Sequence, residues 1–237
     1  IMTEAKELFY DGEFFKKLDT NPYLLCFKNG VIDFKEKIFR KGQPEDYISM
    51  CTNIDYIKLT EKHESIKQEI YQFMNELFPK PELCQYMWEH LASCLIGTSA
   101  NQTFNQYYGI GQNGKSVLVN LMERCLGDYK GDVPLSAVTE KRSKVGGLTP
   151  EIVQLKGVRY AVMQEPSKDD VINEGILKQY TSGKDPIQAR TLHCPSVTFY
   201  PQFKLVVTCN VLMKIQSNDH GTWRRQRLVP FLSLFTE

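Results

Sequence analysis

Apolar positions between residues 61 and 96 recur at three- and four-residue intervals. Ile66, Ile70, Phe73, Met74 and Leu77 form one series, and Leu83, Tyr86, Met87, His90 and Leu91 form a second beyond the break at Phe78 and Pro79. That period predicts two packed helices, with His90 on a core-facing stripe as a satisfied interior histidine and not a metal ligand. Ahead of them the pattern shortens. Residues 23–27 lead through the turn Lys28-Asn29-Gly30 into residues 31–34 and 38–40, a hairpin closed across Lys35-Glu36-Lys37. Gly97-Thr98-Ser99-Ala100 is a joint. Beyond it, short apolar runs at 103–108, 159–163, 187–191 and 203–208 alternate with helical stretches at 115–126 and 173–180. Runs of this kind predict an α/β fold with a central parallel sheet covered on both faces. Residues 136–150 carry Lys141, Arg142, Lys144, Gly146 and Gly147 with few apolar residues, and predict a mobile loop or broken helix with a solvated charged face. Three units are expected: a small mixed segment at 1–58 that serves as scaffold, a helical collar at 59–100, and a nucleotide-binding domain at 101–237.

Composition narrows the classes. Of 237 residues, 42% are hydrophobic and 24% charged, which excludes a disordered or fibrous chain. With a net charge of only +1, any nucleic-acid contact must come from a local patch. The C-terminal part supplies one candidate: from Lys184 onward seven Lys and Arg face three acids. Seven scattered cysteines with no C-x-x-C spacing, and four histidines that complete no zinc pattern, predict reduced, mostly buried thiols in an intracellular protein. Neither a membrane-length apolar run nor a signal peptide is visible. The opening Ile and the final residues 231–237 suggest a piece excised from a longer chain.

Gly109-Ile-Gly-Gln-Asn-Gly-Lys-Ser116 meets the P-loop pattern G-x-x-x-x-G-K-[ST] at every fixed position. Glycines at 109, 111 and 114 let backbone N–H groups turn inward on phosphate oxygens, with Gln112 and Asn113 completing the loop. Lys115 would reach the β and γ phosphates, Ser116 would take one position on Mg²⁺, and the helix starting at Lys115 would point its positive end at the same anion. Gly109, Gly111 and Gly114 also spell G-x-G-x-x-G, but a dinucleotide site needs an acid at the end of a second strand about 20 residues on. Residues 127–134 are turn material instead. A plain glycine-rich surface turn is the other alternative.

An NTP hydrolase also needs a carboxylate at the end of a second strand, and Glu165, after the 159–163 run, occupies that kind of place, with Gln164 as its neighbour. Asn210 follows the 203–208 run, where a polar group could sense the γ-phosphate. Trp223-Arg-Arg-Gln-Arg227 offers guanidiniums of the sort that a neighbouring subunit supplies to developing phosphate charge, or else a basic face that packs on Trp223 or meets nucleic acid.

These blocks, together with Leu177 to Arg190 and with Asn29-Gly-Val-Ile-Asp33 and Pro44-Glu-Asp-Tyr47 in front, resemble in order the superfamily 3 helicases, and most closely the primase-helicases of phages, plasmids and nucleocytoplasmic large DNA viruses. The resemblance implies an AAA+-like motor that forms a hexameric ring around single-stranded DNA and hydrolyses ATP with Mg²⁺. It places Lys115 and Ser116 on Walker A, Glu165 on Walker B, Asn210 on the sensor and Arg224 or Arg225 on the arginine finger. It also implies a channel hairpin turning near residues 192–195, with Lys184, Arg190 and His193 toward DNA, and a primase module elsewhere in the full-length chain. If viral, the protein would work in the host cytoplasm or at a viral replication site. Two further classes compete: a P-loop kinase or GTPase on a small molecule, against which the Asn-Lys-x-Asp segment is missing, and a nucleotide-stabilised DNA-binding ring without turnover.

Overall fold

The computed structural model describes residues 11–139, 147–164, 166–216 and 218–235. At its centre lies a five-stranded parallel sheet of β4 (Phe104–Tyr108), β5 (Lys130–Asp132), β6 (Tyr160–Gln164), β9 (Lys204–Cys209) and β10 (Gln226–Pro230), in the order β10-β4-β9-β6-β5. Both faces are covered, as alternation along the strands dictates. Tyr107, Tyr160, Val162, Val206 and Val229 pack on one side against α1 (Glu64–Leu77), α2 (Pro81–Ser93) and α3 (Lys115–Leu126). Phe104, Ala161, Met163, Leu205 and Val207 pack on the other against α4 (Glu174–Ser182) and against Val133, Val138, Ile152 and Leu155.

In front of the sheet, β1 (Leu24–Phe27), β2 (Gly30–Asp33) and β3 (Ile38–Arg40) form an antiparallel meander. Leu25 of this unit lies in the same core as Met74, Met87, Tyr107 and Val206, so front segment, helices and sheet share one interior. The two helices end where the sequence stops them. Phe78 caps α1 ahead of Pro79, and Pro81 opens α2, where its missing N–H costs nothing. Only the C-terminal end of the α1 stripe is interior: Met74 and Leu77 are buried, whereas Ile66 and Ile70 stay exposed. Periodicity marks a face but not what covers it.

Two expectations need correction. Residues 187–191 do not join the parallel sheet. β7 (Ile187–Ala189) has only Ile187 and Ala189 buried and pairs antiparallel with β8 (Val197–Phe199), because one apolar face asks for one layer of cover. Its turn places His193 at φ +60, with residues 192–196 exposed. The thiols are not mostly buried either: Cys84, Cys94 and Cys209 are interior, Cys26 and Cys51 half-buried, Cys125 and Cys194 exposed, and all seven are free. Of the loop expected at 136–150, residues Ser136–Thr139 form one helical turn and Pro150–Val153 another. Lys141, Arg142, Lys144 and Gly146 lie outside the described residues.

Candidate active site

Strand order determines where a crevice opens. From β4 the chain crosses to the far edge at β5 and works back through β6 to β9, which lies directly beside β4; it then leaves for β10 on β4's other side. The connections after β4 and β9 therefore diverge, and in such sheets ligands sit outside the carboxyl ends of strands at that reversal. Here these connections are Gly109–Gly114 and Asn210. A cavity of about 350 Å³ lies between them, lined by residues 111–117, Gln164, Thr208, Cys209 and Asn210.

The loop conformation follows from its residue types. Gly111 sits at φ +121 and Gly114 at φ +77, both in the region that penalises a Cβ. At Gly114 a Cβ would also approach Leu77 Cδ1 to 2.6 Å. Asn113 is buried and closes the loop on itself: its Oδ1 accepts from the Gly111 N–H at 2.6 Å, and its Nδ2 donates to the Ser233 carbonyl at 2.9 Å. Phe235 N–H donates to the Gln112 carbonyl at 3.0 Å, so residues 233–235 brace the loop from outside. The twelve-residue helix α3 begins at Lys115, and its first N–H groups and dipole face the cavity.

Lys115 Nζ donates to the Gly109 carbonyl at 2.5 Å and to Asn210 Oδ1 at 3.1 Å. Two residues 95 positions apart in sequence thus meet across the crevice. Burial holds the Lys115 pKa below its usual value, opposed by the Cys209 thiol nearby. Burial also pushes that thiol up to about 11, so Cys209 lines the cavity as a neutral group. Ser116 lies exposed at the mouth. Among the described lining residues none is a carboxylate, and Glu165 itself lies outside the described residues.

The arginines are elsewhere. β10 runs parallel to β4 with Gln226 opposite Phe104 and Pro230 opposite Tyr108, so Arg224 and Arg225 stand where β4 begins and the glycine loop where it ends. Five strand residues, roughly 15 Å, separate them, beyond an arginine's reach within one chain. The two also differ from each other. Arg225 is buried and tied inward, donating to Thr181 Oγ1 at 3.2 Å, to the Gly221 carbonyl and to Gln102 Oε1 at 3.1 Å. Arg224 is exposed and donates to Gln102 Oε1 at 2.5 Å. Gln102 was invisible to motif reading, because its place is set only by the fold. Lys184, Arg190 and His193 are all exposed on and beside the β7–β8 hairpin, and Arg190 Nε donates to the Cys194 carbonyl across its turn at 3.2 Å.

Comparison with known proteins places this geometry in a lineage. Residues 1–83 match the model described as D5 N terminal like, and residues 107–225 match the family of unknown function DUF5906. The chain is 41% identical over 235 residues to "Putative helicase L207/L206" of Acanthamoeba polyphaga mimivirus and 34% identical over 226 residues to "Putative helicase 184R" of Invertebrate iridescent virus 6. It is 27% identical over 231 residues to "Putative primase C962R" of African swine fever virus. These alignments cover 99%, 93% and 96% of the chain but only 24%, 23% and 24% of the relatives, so the chain spans about a quarter of their length. In fold it is similar to the apo C-terminal region of NrS-1, with a TM-score of 0.54 at 11% identity over 77% of this chain and 40% of that one. The chain thus belongs to the family DUF5906, with a D5 N terminal like front segment, and its relatives are proteins named putative helicases and primases in large DNA viruses.

Proposed function

We propose that this chain is the ATP-driven motor portion of a viral replicative primase-helicase, an AAA+-like, superfamily 3 unit that binds Mg-ATP in the β4–α3 crevice and works as a ring on single-stranded DNA. The observation that carries this is the convergence of the Lys115 ammonium, the α3 N-terminus and Asn210 on one cavity at the sheet's reversal. A triphosphate is the ligand such a site favours: N–H groups, a dipole and a fixed cation all select concentrated negative charge. In the bound state Lys115 exchanges its carbonyl and amide partners for phosphate oxygens, and Asn210, released from Lys115, orients the attacking water. Arg224, exposed and out of reach of its own loop, meets the γ-phosphate in the crevice of a neighbouring protomer. The buried Arg225 holds the strand end from which Arg224 projects.

Mg²⁺ suits the oxygens available. Ser116, Thr208, Gln164 and Asn210 line the cavity with hydroxyl and amide oxygens, hard donors of the kind this ion takes. Among the described residues no cluster of three His, Cys, Asp or Glu exists. Ser116 and Glu165 would hold the ion together with the nucleotide's own phosphates, and the bound ion would neutralise charge on the β and γ oxygens.

Replacing Lys115 by Ala in the full-length protein tests the proposal. Turnover of ATP should fall by two orders of magnitude or more, in the range lost when one charge-stabilising donor is removed from a transition state (about 10²–10³). Single-stranded DNA should stimulate the parent protein. Undiminished hydrolysis by the Lys115→Ala variant, or a preference for GTP without any response to DNA, would eliminate it.

A further inference from the structure

One side-chain amide touches both elements that a ring motor has to coordinate. Gln102 Nε2 donates to the carbonyl of Ser182, the last residue of α4, at 3.3 Å. Its Oε1 accepts from Arg224 at 2.5 Å and from Arg225 at 3.1 Å. Ser182 also builds the turn that enters the hairpin, since its Oγ accepts from the N–H groups of Lys184 at 3.2 Å and Asp185 at 2.9 Å, two residues short of β7. We infer that Gln102 is a positioning residue that couples the β7–β8 hairpin to the arginine offered to the neighbouring protomer. The inference rests on the proposed role of Arg224.

Three features make the amide a movable link and not a passive tie. First, Gln102 sits at φ +52, a left-handed conformation that a glutamine holds only where surrounding contacts impose it. Second, a cavity of about 120 Å³ adjoins it, lined in part by Ser99, Thr103, Thr181 and Lys204, which gives the side chain room to turn. Third, the Ser99 hydroxyl on that cavity is buried with no partner among the described residues, so an alternative hydrogen bond is on offer. Close packing makes the junction responsive: Gly183, at φ +65, approaches Ser99 so tightly that a Cβ there would lie 2.7 Å from the Ser99 Cβ. When the hairpin shifts, Ser182 moves with it, the bond to Gln102 opens, and the amide turns toward Ser99. Arg224 is then released, while Arg225 keeps its bonds to Thr181 and Gly221 and holds the strand end still.

The test is steady-state ATP turnover of the full-length protein with and without a single-stranded oligonucleotide, for the parent and for Gln102→Ala, Gln102→Glu and Arg224→Ala. In Gln102→Ala the KM for ATP should stay within about two-fold while the ratio of DNA-stimulated to basal turnover falls at least roughly five-fold, the scale of ordinary coupling between sites. Gln102→Glu keeps acceptors for both guanidiniums but loses the donor to Ser182, so it should fold like the parent and lose the stimulation ratio in the same way. Arg224→Ala should lose basal and stimulated turnover together. If Arg224→Ala is inactive yet both Gln102 variants keep the parent's ratio, or lose basal and stimulated rates in equal proportion, the coupling role is overturned and the motor reading stands. If Arg224→Ala turns over normally, the trans-arginine reading fails first.

Discussion

At the scale of single residues, the loop glycines and the candidate carboxylate Glu165 make separate demands. Gly114 combines φ +77 with a Cβ position that collides with the interior Leu77 side chain. Gly114→Ala should therefore cost about 1–3 kcal/mol of stability and distort the loop, seen as a lower unfolding temperature together with weaker binding of a fluorescent ATP analogue. Glu165 follows Gln164, whose side chain lies exposed at the crevice. If Glu165 activates water, Glu165→Gln should keep nucleotide affinity and lose hydrolysis by roughly 10²-fold or more, as for removal of a general base. Equal hydrolysis by the two proteins would leave the crevice as an assembly site without turnover. The P-loop pattern was legible because every fixed position is set by a local requirement. Asn210 was legible only as a polar residue after a strand; that it meets Lys115 depended on β9 lying beside β4.

Among elements, one buried cation fastens the front meander to the sheet and another fastens the joint after α2. Arg159 is 2% exposed and donates to the carbonyls of Pro22 at 2.7 Å, Asn21 at 3.2 Å and Leu24 at 3.0 Å. Lys204, at the start of β9, donates to the carbonyls of Ile96 and of Thr98, at 2.7 Å for the second. Burial lowers the Arg159 pKa to about 10 and that of Lys204 to about 8. Without the guanidinium the buried Leu24 carbonyl loses this donor, a loss that costs about 1–3 kcal/mol for an unsatisfied buried group, whereas the Pro22 carbonyl keeps the Gly97 N–H and the exposed Asn21 carbonyl can turn to water. Arg159→Leu should accordingly destabilise the chain by about 1–3 kcal/mol and expose residues 20–24 to limited proteolysis; unchanged protection would show that hydrophobic contacts alone hold the meander. From sequence, Arg159 reads only as the first residue of an apolar run.

For the molecule as a whole, two buried bases give stability a characteristic pH profile. His90 donates to or accepts from the Tyr107 hydroxyl at 2.9 Å and lies beside Asn105 at 3.4 Å. Burial, then the charge on Lys204, pulls its pKa from 6.5 to about 4. The unfolded chain therefore takes up a proton below pH 6.5 that the folded protein refuses until about pH 4. Stability should be fully present above 6.5 and fall by about 1.4 kcal/mol per pH unit on the way down to 4. Lys204 acts in the alkaline window: between about pH 8 and 10.5 the unfolded chain binds the extra proton, so stability should rise with pH there. Urea unfolding at several pH values checks both slopes, and His90→Gln should flatten the acid one while leaving the alkaline one in place.

The sequence by itself determined the elements, the phosphate-loop pattern and the chemistry on offer, because helix and strand periods, turn residues and a glycine spacing are all local properties of a chain. Tertiary structure alone decided the order β10-β4-β9-β6-β5, and with it the meeting of Lys115 and Asn210, the separation of the arginines from their own loop and the bridging place of Gln102. It also took residues 187–189 out of the parallel sheet and left Ile66 and Ile70 exposed. The physical reason is the same in each case: which strand lies beside which, and what covers a given face, depends on the packing of the whole interior, and no window of sequence contains it.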